Sequence, residues 1–203
     1  MSAPGAPTFG PSALATPANA VTVARLLATP LFVALILTRG ASWWTVAVGV
    51  AVAGSDGLDG WLARRQGTTR SGAFLDPLAD KVVVLGALFA IAARGWVPWL
   101  PVVLIAAREV GMSFYRSWAG RRGVSIPART SAKAKTWIQD LAVATVLVPP
   151  LFPYRTLQLV AVWVAAGITL VTGAQYLVDG RRALRAARPG PARPAGGRDQ
   201  EAA

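Results

Sequence analysis

The chain has 203 residues, room for one domain of ordinary size, yet 54% of them are hydrophobic and only 15% are charged. That balance belongs to a membrane protein. Cysteine and histidine are both absent, which removes disulfides, zinc fingers, thiol nucleophiles, imidazole bases and His-ligated metals together. The net charge of +12 would point to nucleic acid in a soluble protein, but its placement along this chain points to a membrane surface, and no nucleic-acid partner is expected.

The chain opens on "MSAPGAPTFGPSALATPA", a Pro-, Ala-, Gly- and Ser-rich stretch without the order of a secretory signal, and residues 1–18 read as a disordered segment. Runs of mostly apolar residues, each about as long as a bilayer core requires, follow at 21–38, 42–62, 77–94, 97–117, 134–152 and 157–178. The expected fold class is therefore all-α: a polytopic membrane protein with six transmembrane helices over residues 19–185, followed by a basic disordered tail, 186–203. No alternation or girdle pattern supports a β-barrel. The links after the first, third and fifth runs are short and carry one basic residue each, Arg39, Arg94 and Arg155. Arg64, Arg65, Arg70, Arg121, Arg122, Arg129, Lys133 and the basic tail lie beyond the even-numbered runs. The positive-inside rule then makes both termini cytoplasmic in a multi-pass cell membrane protein, and the tail suits an anionic leaflet.

Where the second run ends and the third begins stands "SDGLDGWLARRQGTTRSGAFLDPLADK", residues 55–81. Only nine Asp and Glu exist in the chain, and Asp56, Asp59, Asp76 and Asp80 are four of them. The first pair is spaced by three and the second by four, so each pair shares a helical face, and two antiparallel neighbours can turn all four inward. Carboxylates so close in an apolar setting stay ionised only if cations neutralise them. Oxygen-only ligation favours Mg²⁺, with Mn²⁺ or Ca²⁺ as substitutes. Gly54, Gly57, Gly60 and Gly72 cost helix stability but clear space for a helix neighbour or a flat ligand. An isolated Asp pair is usually a cap; four at these spacings inside apolar flanks point to function.

The fourth run carries "AAREVGMSFYRSWAGRR" and the fifth begins "SAKAKTWIQD". Arg108 and Glu109 sit roughly 15 Å in from the basic end of their span, too deep for easy snorkelling. They must line a wet cavity or pair, and for Glu109 a structural pairing with Arg108, or with the neighbourhood of Asp140, weighs as much as a functional role. Arg116 lies eight residues beyond Arg108 on the same face. With Lys133 and Lys135 these cations read as donors to an anionic ligand.

The 55–81 stretch resembles the signature of the CDP-alcohol phosphatidyltransferase family, D-x-x-D-G-x-x-A-R followed by G-x-x-x-D-x-x-x-D. It matches at Asp56, Asp59, Gly60, Ala63, Arg64, Gly72, Asp76 and Asp80. The spacer between Arg64 and Gly72 is seven residues, one fewer than the family pattern, which bears on where Arg70 sits. "NAVTVAR" at 19–25 is similar to the family's entry into its first span. The resemblance implies transfer of a phosphatidyl group from CDP-diacylglycerol to an alcohol, with release of CMP. It implies Asp56, Asp59, Asp76 and Asp80 as ligands of two Mg²⁺ or Mn²⁺ ions, with Asp80 also the general base. It further implies Asp56, Asp59, Gly60, Ala63, Arg64, Gly72 and Thr22 around the CDP moiety, and a homodimer in the bilayer. For Arg64 a helix-capping role is equally open. The strings "ARE", "SFYR", "IPA" and "AKAKTW" resemble the bacterial phosphatidylglycerophosphate synthases of that family. This implies glycerol 3-phosphate as acceptor, with its phosphate held by Arg70, Arg108, Arg116, Lys133 and Lys135, on an active face open to the cytoplasm. Cardiolipin synthesis is the rival within the family; a cation channel or carrier and a purely structural bundle are the rivals outside it.

Overall fold

The computed structural model describes the backbone of residues 17–66, 72–121 and 131–186, and the side chains of 20–55, 79, 81–121 and 135–184. Arg70 falls outside the described residues. So do the side chains of Asp56, Asp59, Ala63, Arg64, Asp76, Asp80 and Lys133, and residues 1–16 and 187–203 of the expected disordered ends, whereas residues 17, 18 and 186 of those ends are helical. The chain runs through α1 (Pro17–Thr38), α2 (Trp43–Gln66), α3 (Gly72–Ala93), α4 (Trp99–Arg121), α5 (Ser131–Leu147), a 3-10 turn (Pro149–Leu151) and α6 (Arg155–Ala186). There is no strand among the described residues.

Each apolar run thus becomes a helix, and the boundaries differ where local chemistry intervenes. α1 starts at Pro17, whose fixed φ and missing N–H suit a first helical position. α5 was expected to reach residue 152 but stops at Leu147, because Pro149 and Pro150 cannot continue an α-helical ladder and form the 3-10 turn instead. α6 runs well past residue 178, since "VDGRRALRA" continues as a polar helix.

The three short links meet at one end of the bundle. α3 closes with Gly95 at φ 70°, where the Gly95 amide donates to the Ala92 carbonyl and the Trp96 amide to the Ile91 carbonyl. Together these bonds make a Schellman cap. Gly40, at φ 69°, has to be a glycine on two counts: the left-handed backbone, and the Trp96 ring, which a Cβ would meet at 2.9 Å. Arg94 donates to the Leu37 carbonyl, Arg155 donates to the Gly95 carbonyl, and Trp96 packs edge-on against Phe152.

Packing divides the helices into two halves. α1 lies against α2 and α3, while α6 lies against α4 and α5; the contacts that join the halves run from α3 to α4 and α5, with a lesser one from α2 to α5. Close approach within the first half depends on missing side chains: a Cβ on Gly49 would meet the buried Phe32 ring at 2.9 Å, and one on Gly86 would meet Val33 at 3.2 Å. Among the described residues nothing comes within 4 Å of a Cβ built on Gly54, so no described helix neighbour uses the space that glycine leaves; Gly49 and Gly86 serve close helix approach. The core includes Phe32, Ile36, Leu88, Ile91, Val102, Ile105, Val146 and Val162.

The described exterior carries many large apolar side chains. Leu27 is 75% exposed, Phe114 72% and Trp137 76%, and helices hydrophobic on all faces are what a bilayer accommodates. Ala20–Thr38 and Arg155–Leu184 are long and apolar enough to cross a membrane, and the described parts of α2 and α3, Trp43–Ser55 and Lys81–Ala93, are apolar as well. α4 is interrupted by Arg108 and Glu109, and α5 is cut short by its prolines.

Candidate active site

The end of the bundle opposite the short links carries the polar residues. Asp56, Asp59, Gly60, Ala63 and Arg64 lie on the last turns of α2, and Gly72, Asp76 and Asp80 on the first turns of α3. The backbone therefore brings the two halves of the motif onto consecutive, packed helices. Thr22, on α1, is fully buried, and one turn further Arg25 is 3% exposed, with its Nε donating to Ser55 Oγ at 2.9 Å. α1 is thus fastened to α2 beside Asp56.

Across the seam between the halves lies a polar layer built from four helices. Glu109 on α4, only 4% exposed, accepts through Oε1 from Arg108 Nη1 at 2.9 Å and from Lys135 Nζ of α5. Arg108 Nη2 reaches Thr172 Oγ1 of α6 at 3.3 Å, lying along the bare backbone of Gly173, where a Cβ would be 3.0 Å from Arg108 Cγ and Nε. Ser113, one turn beyond Glu109, donates to its backbone carbonyl at 2.9 Å and receives a hydrogen bond from Lys81 of α3. Deeper in the bundle, Gln139 donates to Thr169 Oγ1 at 2.8 Å and fastens α5 to α6. Arg116 stands toward the open end, its Nε 3.2 Å from the Tyr176 hydroxyl and its guanidinium 5.5 Å above that ring.

The expected basic set is therefore sorted. Arg108 and Lys135 converge on one carboxylate, and Arg116 sits further out, although it is among the charges that act on Lys81 along with Glu109, Lys135 and Arg108. The pairing of Arg108 with Glu109 weighed from the sequence is present. Lys81, Ser113, Thr172 and Tyr176 were not singled out beforehand. Lys81 had a signal: it follows Asp80 directly and is one of only three lysines in the chain.

Beside this layer an apolar groove of about 290 Å³ runs between α2, α3 and α5, lined by Val46, Val50, Val84, Trp137 and Leu141 among others, and extending along α2 to Ala53. Ala53 is one helical turn from Asp56.

The family model described as CDP-alcohol phosphatidyltransferase matches residues 15–171. The chain belongs to the CDP-alcohol phosphatidyltransferase family. The match spans α1 to the middle of α6, so it includes both the aspartate motif and the polar layer. Among curated relatives, a protein of Mycobacterium tuberculosis named probable phosphatidylglycerophosphate synthase is 34% identical over 184 residues, covering 87% of this chain and 85% of its own. The CDP-diacylglycerol–glycerol-3-phosphate 3-phosphatidyltransferases of Pseudomonas fluorescens and Bacillus subtilis are 36% and 31% identical. Each covers 82% of this chain, which covers 95% and 96% of theirs. For a member of this phosphatidyltransferase family, the motif on α2 and α3 supplies carboxylate oxygens in a chain devoid of His and Cys, a donor set suited to a hard divalent cation.

Proposed function

We propose that the protein transfers the phosphatidyl group of CDP-diacylglycerol to glycerol 3-phosphate, forming phosphatidylglycerophosphate and CMP. The observation that carries this reading is the seam: beside the helices α2 and α3 that bear the aspartate motif lies a cationic polar layer, with Lys81 of α3, Arg108 and Arg116 of α4 and Lys135 of α5 set against the carboxylate of Glu109. An acceptor bearing a phosphate dianion needs such a layer; an uncharged alcohol does not.

In this reading Asp80 accepts the proton of the acceptor hydroxyl as that oxygen bonds to the phosphorus carrying diacylglycerol. The bond from that phosphorus to the CMP oxygen breaks, and CMP leaves. Asp56, Asp59 and Asp76, with Asp80, hold two Mg²⁺ or Mn²⁺ ions, which when bound supply positive charge against the diphosphate. Gly60, Ala63, Gly72 and Thr22 give the cytidine room, and Arg64 contacts phosphate. Arg70, Arg108, Arg116, Lys133 and Lys135 orient the acceptor, and positioning of this kind supplies much of what a transferase contributes. The groove that ends one turn from Asp56 suits the acyl part of the donor, with its apolar walls open to the bilayer. All six helices cross that bilayer with both termini and the active face on the cytoplasmic side, and the protein functions as a homodimer.

The test is release of CMP by purified protein supplied with CDP-diacylglycerol, Mg²⁺ and a panel of acceptors. Glycerol 3-phosphate should stimulate it. Stimulation by phosphatidylglycerol or an inositol phosphate instead would keep the transferase and replace the acceptor. Ion flux through liposomes without CMP release would remove the transferase altogether.

A further inference from the structure

Glu109 takes no part in the transfer as written, yet more of the site converges on it than on any other described side chain. Its carboxylate receives Arg108 of its own helix and Lys135 of α5. Its backbone carbonyl receives Ser113, to which Lys81 of α3 is bonded. Arg108 is in turn laid against α6 by Thr172 and by the missing side chain of Gly173. Cations from three helices, α3, α4 and α5, are thereby placed relative to one buried oxygen and one backbone carbonyl.

Two accounts of such a carboxylate make opposite forecasts. If it merely offsets the mutual repulsion of the cations, its removal leaves the site more positive and an anionic acceptor binds at least as well. If it fixes how Lys135 and Arg108 are spaced, its removal takes away the oxygen they share, the ligand must then order that spacing, and the acceptor binds less well despite the stronger field. The geometry favours the second account. A single oxygen, Oε1, takes both cations, which constrains their separation. The Arg108 Nε is buried without a hydrogen-bond partner, a cost tolerated when the guanidinium is held for another purpose.

We propose that Glu109 is a positioning residue for the acceptor: it sets the spacing of Lys135 and Arg108 so that they receive the phosphate of the acceptor together. The inference rests on the reading that the acceptor carries a phosphate monoester, and the test separates the two. Wild-type protein, Glu109→Gln and Glu109→Asp are compared in detergent with CDP-diacylglycerol and glycerol 3-phosphate varied in turn. Glu109→Gln should raise the KM for glycerol 3-phosphate about 10-fold or more while the KM for CDP-diacylglycerol stays within about 2-fold. Glu109→Asp keeps the charge but pulls it back by one methylene, so it too should raise the acceptor KM, by roughly 3- to 10-fold. An unchanged or lowered acceptor KM in Glu109→Gln overturns the positioning role and leaves charge balance. If Glu109→Gln does not fold, Glu109→Asp decides, since charge balance alone predicts no change there. Failure of wild-type protein to use glycerol 3-phosphate removes instead the acceptor reading on which the inference stands.

Discussion

At the scale of single residues, the site combines a motif that reads directly from sequence with a layer that does not. Asp80 is the residue on which the proposed chemistry turns. Asp80→Asn keeps three carboxylates and removes the proton acceptor, so turnover should fall by roughly 10² to 10⁴ while CDP-diacylglycerol still binds; lost binding with unchanged residual turnover would reverse the assignment. Arg116 offers a milder contrast. It is exposed and already occupied by the Tyr176 ring, so Arg116→Ala should raise the KM for glycerol 3-phosphate by about 10-fold and leave that for CDP-diacylglycerol unchanged. The place of the four aspartates on the adjoining ends of two helices was legible because their spacing is local and repeats along a helix. The bonds of Lys81 to Ser113 and of Lys135 to Glu109 span 32 and 26 residues, and no periodicity within one helix announces them. Arg108 was legible as a charge set deep in its helix, where it is half-buried, and its pairing as one option. Which of its possible neighbours it would meet depended on α6 presenting Thr172 and a bare Gly173 at the right height.

At the scale of helices, glycines decide how closely elements approach, and the structure separates those that pack from those that do not. Gly49→Ala drives a methyl into the ring of Phe32, which is only 3% exposed and has little freedom to yield. Overpacking of this kind costs about 1 to 3 kcal/mol and should lower the thermal unfolding midpoint in detergent. Gly54→Ala meets nothing within 4 Å among the described residues and should leave that midpoint unchanged or raise it, since alanine favours helix by about 1 kcal/mol. Equal losses in both variants would contradict this division. From sequence the two glycines look alike, because each sits in an apolar helical run, and only the path of α1 across α2 tells them apart. The existence of six helices was legible from apolar run length, whereas their ends were not all so. The Pro149–Pro150 stop was visible in principle but hidden by the high hydropathy of "LVPPLF", and the extension of α6 lay in polar residues that apolarity does not mark.

For the whole molecule the governing fact is polarity between its two ends. The three short links gather Arg39, Arg94 and Arg155 at one end, with Trp43, Trp44, Trp96 and Trp99 beside them, the amphipathic rings that favour a membrane interface. The motif-bearing ends of α2 and α3 and the outer turns of α4 and α6 lie toward the other end, with Arg64, Arg65, Arg121, Arg181, Arg182 and Arg185 on them. The proposed topology follows from this asymmetry: the positive-inside rule assigns the basic end to the cytoplasm, the side on which the proposed acceptor, water-soluble glycerol 3-phosphate, is available. The absence of native cysteine makes the orientation directly measurable. A single thiol introduced as Ser71→Cys, in the link between α2 and α3, should react with a membrane-impermeant maleimide in inside-out vesicles and not in intact cells. A thiol introduced as Ser42→Cys, in the link between α1 and α2, should show the reverse. Labelling of Ser71→Cys from outside intact cells would invert the topology and place the phosphatidyl transfer on the wrong side of the membrane for its proposed acceptor.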